Sequence, residues 1–307
     1  MHMKENPFLE VRHVAKAFDG RPVLSDLSFT VHRGEIVGFI GPNGSGKTTT
    51  VRLVNGVLDP DAGEISVGGY DPRADGEAVR RMSGVLTESA GLYMNMTGWE
   101  NLRFFADLYG VDEPGRADEL LEQFGLADAA GRKVGTYSTG MKKRLGLAKA
   151  MLHRPDVLFL DEPTNGLDPE GIRMVLEYIR RLNEREGTTV IICSHLLQQL
   201  EIVCHRYLFL LEGRVVEQGT LGELEARYFP TVTLEVETDL RLADGQYRGI
   251  PARQVGPGRV AFTVPGRGAI PGLLRSLAGE AAVFSAVPVR HDLEALYFKI
   301  TGGEAGE

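Results

Sequence analysis

Gly41-Pro42-Asn43-Gly44-Ser45-Gly46-Lys47-Thr48 decides how the rest of this sequence is read. The stretch satisfies G-x-x-x-x-G-K-[ST] in full. Glycines let the backbone curl so that successive N–H groups point at phosphate oxygens, and a helix beginning at the lysine adds the positive end of its dipole. Lys47 is placed to reach terminal phosphates and Thr48 to ligate Mg²⁺, with Thr49 next to it in the phosphate-binding set. The flanks agree. Glu35-Ile36-Val37-Gly38-Phe39-Ile40 is an apolar strand, and residues 47–57 have helical spacing, with Val51, Val54 and Val57 on neighbouring faces.

Outward from this loop, short β-rich runs alternate with helical patterns as far as Tyr228. Residues 157–160 and 189–193 are continuous apolar runs of the kind that form buried strands. Runs of this kind separated by helices predict an α/β fold, a mainly parallel sheet with helices on its faces. The helix after Asp168 is well punctuated: Asp168 caps it, Pro169 suits its first position and Gly187 its end. Ile172, Val175, Leu176, Ile179 and Leu182 form its apolar stripe. Between residues 88 and 153 the pattern is mainly helical, over 99–109, 116–124 and 141–152, which predicts a helical subdomain inserted in the α/β domain. A boundary falls near Tyr228-Phe229-Pro230. Residues 231–237 then alternate as a strand does, and 272–277 and 292–300 read as helices, so 1–230 and 231–307 are expected as separate domains, the second a small α+β unit.

Composition narrows the partners. A net charge of -8 and a pI near 5.5, with no basic stripe, argue against a general binder of nucleic acid. Cys193 and Cys204 are the two cysteines; Cys193 closes an apolar run and reads as a small buried hydrophobe, so a reducing cytoplasm is expected. Residues 1–7 lack the apolar core of a signal peptide, and no run approaches the roughly 18 apolar residues of a membrane helix.

The second chemical motif is Val157-Leu158-Phe159-Leu160-Asp161-Glu162. Apolar residues deliver two adjacent carboxylates to the end of a buried strand, where ligands of parallel sheets collect. Asp161 is placed to hold a metal shell and Glu162 to polarise an attacking water. A solvated Asp-Glu-Pro turn is the bland alternative, disfavoured by the phosphate loop upstream.

In this order the motifs resemble the nucleotide-binding subunit of ATP-binding cassette (ABC) transporters, over residues 7–228. The family's signature, Leu-Ser-Gly-Gly-Gln, corresponds to Tyr137-Ser138-Thr139-Gly140-Met141, where Ser138 and Gly140 match and Thr139 and Met141 depart. Pro163-Thr164-Asn165-Gly166-Leu167-Asp168 is similar to the family's D-loop, and His195 to its switch histidine. Phe18 resembles the aromatic residue that stacks on adenine, and Glu88 falls where many cassettes carry glutamine near the metal. Each also has a plain structural reading: His195 as a structural histidine, Phe18 as core, Asp168 as a helix cap, and Lys142, Lys143 and Arg144 as a solvated helix face. Tyr93, Trp99, Phe104 and Phe105 are by default helix core, and on the family analogy a groove for a membrane partner.

The resemblance implies a P-loop NTPase cassette, with antiparallel strands beside its parallel sheet, that binds ATP and Mg²⁺. A second cassette subunit would close Ser138 and Gly140 over nucleotide held by residues 41–48. Glu162, His195 and Lys47 would be catalytic. The implied partner is a transmembrane permease, with the chain peripheral on the cytoplasmic face of the membrane. The ending, residues 291–302, resembles exporter cassettes for drugs, lipids or polysaccharides. The alternative is a soluble cassette ATPase of repair, translation or cofactor assembly, against which stand the lack of a long coiled coil and of a second cassette in the chain. A non-catalytic, nucleotide-gated module is a further rival, sustained by the altered signature.

Overall fold

Runs of consecutive apolar residues become strands buried on both faces. The computed structural model describes residues 7–87, 90–242, 245–289 and 291–302. In chain order the first elements are β1 (Leu9–Phe18), β2 (Arg21–Val31), β3 (Ile36–Ile40), α1 (Lys47–Val54), β4 (Ala62–Val67), α2 (Gly76–Met82) and β5 (Ser83–Leu86). They continue with α3 (Gly98–Tyr109), α4 (Arg116–Gln123), α5 (Thr139–Ala150), β6 (Val157–Asp161), α6 (Pro169–Glu186), β7 (Thr189–Cys193), α7 (Leu197–Val203), β8 (Arg206–Leu211) and β9 (Arg214–Gly219).

A sheet in the order β5-β6-β7-β3-β8-β9 forms the centre, parallel except for β9 against β8. Every residue of β3, β6 and β7 is buried, Cys193 included, which is why these segments read as unbroken apolar runs. A separate antiparallel sheet, β2-β1-β4, shares the same core through Leu9, Leu27, Phe29 and Val67 beside Phe39 and Phe159. The helical stretch α3 to α5 lies between β5 and β6 in the chain, and a Thr97–Glu100 capping box opens α3.

The punctuation of α6 is as the residues indicate. The Asp168 carboxylate accepts from the Gly171 N–H at 3.1 Å, Pro169 is the first helical residue, and Gly187 ends the helix with φ 68°. Val175, Leu176, Ile179 and Leu182 are buried and Ile172 is half-buried. The helix after the phosphate loop is shorter than its apolar spacing predicts. It stops at Val54 because Gly56 turns left-handed, φ 62°, where a Cβ would meet the Pro72 carbonyl at 2.5 Å; Val57 lies beyond it and is 63% exposed.

The chain divides between Thr220 and Leu221, ten residues before the boundary expected from sequence. The reason is α8 (Leu221–Tyr228), which packs on the terminal helix of the second unit. That unit continues with β10 (Val232–Thr238), β11 (Gln246–Tyr247), β12 (Ile250–Gly256), β13 (Arg259–Val264), α9 (Ile270–Ala278), β14 (Val283–Pro288) and α10 (Leu293–Thr301). Its strands form one antiparallel sheet, β11-β12-β13-β10-β14, with a core of its own in Leu234, Val236, Val260, Phe262, Leu273 and Leu277.

Candidate nucleotide site

The loop between β3 and α1 is shaped by two glycines. A Cβ at Gly41 would lie 2.3 Å from the Leu210 carbonyl oxygen, and Gly46, with φ 108°, would drive one to 2.5 Å from Leu24 Cδ2. With neither present, α1 starts directly on the loop, and its first residues line the cleft. Lys47 is buried; its Nζ donates to the Gly41 and Pro42 carbonyls at 2.5 and 3.0 Å, so the cation sits under the loop. Asn43, Gly44, Gly46, Lys47, Thr48 and Thr49 line a cleft of about 610 Å³, with Asp161, Glu162, Asn165 and His195 on its other wall.

β6 delivers the carboxylates. Asp161 is its last residue, and its Oδ2 accepts from the Thr48 hydroxyl at 3.0 Å. Burial holds the Asp161 carboxyl above the usual carboxylate range; the Thr48 hydrogen bond opposes this, Glu162 adds to it, and Lys47 and Lys143 oppose it. Glu162 has φ 48°, a left-handed backbone that a non-glycine residue holds only where its surroundings fix it. The fixing contacts are visible. Its N–H donates to the Cys193 carbonyl at 2.8 Å. Its carboxylate accepts from the Ser194 hydroxyl at 2.9 Å, the His195 N–H at 3.1 Å and His195 Nδ1 at 2.8 Å. The turn after β7 therefore holds the carboxylate that follows β6.

Other residues singled out from sequence fall elsewhere. Phe18 ends β1, 41% exposed, with Lys16 Nζ 5.6 Å from its ring centroid; it is a surface ring and no part of the core. Ser138 caps α5, accepting from the Met141 N–H at 3.2 Å, and a Cβ on Gly140 would lie 3.2 Å from Leu167 Cδ2. Neither lines the cleft of Lys47. Thr139, in place of a glycine, fits because Gly166 opposite it has φ 78° and no side chain; a Cβ there would come within 3.1 Å of Thr139 Cγ2. Ser45 is buried inside the loop. Glu88 lies outside the described residues.

Two default readings are corrected. Lys143 and Arg144 are no solvated face: Lys143 is buried with Nζ 3.4 Å from the Asp161 carbonyl oxygen, and Arg144 donates to the Phe124 carbonyl at 2.7 Å. The helical spacing of 143, 147 and 150 could have placed Lys143 on the buried side. Tyr93, Trp99 and Phe104 are exposed instead of core. Tyr93, Phe104 and Phe105 form a surface cluster with centroid separations of 4.9 to 5.8 Å, extended by Tyr109 stacked on Phe105 and by His153 beside Tyr109. Next to it Leu108, Tyr109, Leu152 and His153 line a groove of about 860 Å³. Ser194, whose hydroxyl holds Glu162, has no motif of its own and was missed as a contributor.

A parallel sheet with a phosphate-cradling loop, a buried strand-end carboxylate and a second carboxylate tied to a histidine defines a nucleotide-binding cassette. Comparison with known proteins gives it a family. The family described as ABC transporter matches residues 24–165. The Bacillus subtilis protein YdbJ, described as an uncharacterized ABC transporter ATP-binding protein, is 36% identical over 300 residues, 96% of each chain. The daunorubicin/doxorubicin resistance ATP-binding protein DrrA of Streptomyces peucetius is 36% identical over 251 residues, 81% of this chain and 74% of its own. A solved ATP-binding subunit of an ABC transporter superposes with a TM-score of 0.68 at 33% identity, over 72% of this chain and 93% of that one. The chain belongs to the ABC transporter family, among its ATP-binding proteins.

Proposed function

We infer that this protein hydrolyses ATP to drive a separate membrane-embedded permease. The observation that carries the reading is the convergence of Lys47, Thr48, Asp161, Glu162 and His195 on one cleft. Lys47 and the loop amides of residues 43–48 stabilise charge on the phosphates, the main task in phosphoryl transfer. Glu162 orients and polarises the attacking water, and His195, joined to it at 2.8 Å, fixes the carboxylate and faces the terminal phosphate.

The residues fit Mg²⁺. The Thr48 hydroxyl and the Asp161 carboxylate present hard oxygens 3.0 Å apart, and the buried carboxylate, raised in pKa by desolvation, is a group a cation relieves. Thr48 and Asp161 would hold the ion, with Glu88 a further ligand on the family resemblance; bound there, it would neutralise phosphate charge. Ser138 and Gly140 stand away from the cleft of their own subunit, which supports a role on nucleotide held by a second cassette.

The exposed aromatic cluster around Phe104 and the adjoining groove support docking of the permease. No helix of the described residues is long and apolar enough to cross a membrane. In this reading the permease carries the transport path and this chain is peripheral on the cytoplasmic face. The relation to DrrA, a drug-resistance ATP-binding protein, supports export over import, with a drug-like or lipidic cargo chosen by the permease. The test is Mg²⁺-dependent ATP turnover by the purified chain. Turnover lost in Lys47→Ala supports the reading, and a wild-type chain that binds ATP without hydrolysing it refutes the enzymatic part.

A further inference from the structure

One half-buried cation joins three segments of the cassette. Lys149, in the last turn of α5, donates from Nζ to the Ala90 carbonyl at 2.5 Å and lies 3.4 Å from that of Gly91. The same ammonium stands 4.8 Å from the centroid of the Phe105 ring on α3. Partial burial pushes it below the usual lysine range, and these acceptors offset part of the lost hydration.

The loop is shaped to meet it. Ala90 and Gly91 have φ of 55° and 57°, two left-handed residues in succession, which for alanine requires surroundings that hold it there. A second contact comes from the same helix. At Gly146 a Cβ would lie 2.7 Å from Ala90 Cβ and 2.8 Å from Leu86 Cδ1, so only glycine admits the loop this closely. Ala90 and Gly91 are thus held to α5 at two points, one apolar and one through the ammonium. Helix α5 begins at the Ser138 cap, and the loop is the one that contains Glu88.

We propose that Lys149 is a positioning residue for ATP hydrolysis, fixing Ala90 and Gly91 to the signature helix and tying them to the aromatic face through Phe105. This rests on the ATPase reading above. A loosened clamp leaves the phosphate loop intact, so it acts on turnover and on metal use more than on nucleotide affinity.

The experiment uses the full chain with Lys149→Met, Lys149→Arg and Gly146→Ala. It reads the Kd and stoichiometry of a fluorescent ATP analogue, kcat and KM for ATP, and the half-saturating Mg²⁺ concentration. Lys149→Met is expected to keep Kd within about twofold while kcat falls roughly tenfold or more, the scale of a small misplacement in an active site, and half-saturating Mg²⁺ rises. Lys149→Arg, which donates to the same carbonyls, restores at least about half of kcat. Gly146→Ala shifts kcat in the same direction with Lys149 intact, which keeps the test available if Lys149→Met does not fold. Unchanged kcat in the folded variants, or a fall matched by an equal loss of bound nucleotide, overturns the proposal. A wild-type chain without ATPase refutes the enzymatic reading instead.

Discussion

Glu162→Gln separates chemistry from architecture at this site. The glutamate accepts three hydrogen bonds, from the Ser194 hydroxyl and from the His195 N–H and Nδ1, at 2.8 to 3.1 Å. Glutamine has the same shape. Its carbonyl oxygen can keep the two bonds from His195, which share Oε1, while its amide donates to the Ser194 oxygen, since a hydroxyl can accept as well as donate. What is lost is the charge on these bonds, about 1 kcal/mol of stability at most for a rearranged network of this kind. Turnover loses far more. A positioned general base contributes on the order of 10² to 10⁴ in rate, about 3 to 5 kcal/mol in the barrier, and the amide has no basicity to replace it. The assay pairs steady-state ATPase with nucleotide binding and size-exclusion chromatography. Glu162→Gln should bind ATP with little change, turn it over at least about 100-fold more slowly, and accumulate an ATP-dependent dimer. Near-normal turnover would refute the role given to Glu162, and a protein that no longer binds ATP would show that the hydrogen-bond exchange is wrong.

Mixing Ser138→Arg chains with Lys47→Ala chains should restore roughly a quarter of the wild-type ATPase, because half of the random dimers keep one composite site; a mixture no more active than either variant alone refutes the cross-subunit assignment or the independence of the two sites. Burial raises the Asp161 pKa, so the folded chain binds that proton more tightly than the unfolded one, and stability without nucleotide or metal falls as pH rises from about 4 through the raised pKa. Asp161→Asn removes the effect: its melting temperature should exceed the wild-type value by a margin that grows across that window and then levels, and a variant less stable than wild type at neutral pH overturns this. A chain ending at Thr220 should melt cooperatively and bind ATP within about twofold of the full chain, since each unit has its own core; lost binding places the boundary elsewhere.

Local structure was legible in the sequence. The phosphate loop, the carboxylate-ending strand and the Asp168–Pro169 helix start are each specified by residues within a few positions of one another, and these formed as read. What escaped was set by distant partners. Val57 looked helical until Gly56 met the Pro72 carbonyl. Lys143 looked solvated because its acceptor, the carbonyl of Asp161, comes from a strand beyond the end of the helix. The aromatics from Tyr93 to Phe105 carry core-like composition, yet exposure depends on which face of α3 meets α5, and spacing alone could not decide that. The sequence boundary near Tyr228 grouped residues 221–228 with the cassette, whereas α8 packs against α10 and falls in the second unit.

The same distance dependence explains how the cleft is organised. Its two carboxylates lie at the edge of a site built for a polyanion, an arrangement that repels the ligand unless each negative charge is offset. Asp161 is met by the Thr48 hydroxyl and by lysines on either side, Lys47 from the loop and Lys143 from α5. Glu162 is met by three donors from the turn after β7. Lys47 in turn gives its hydrogen bonds to two neutral carbonyls. Phosphate oxygens are anionic acceptors, and charge-assisted bonds are about twice as strong as neutral ones, so moving that donor from carbonyl to phosphate favours binding. The carboxylates gain nothing from the exchange by themselves. The place of Asp161 beside the Thr48 hydroxyl suits the proposed Mg²⁺, which would offset phosphate charge next to the same aspartate that burial leaves under-solvated.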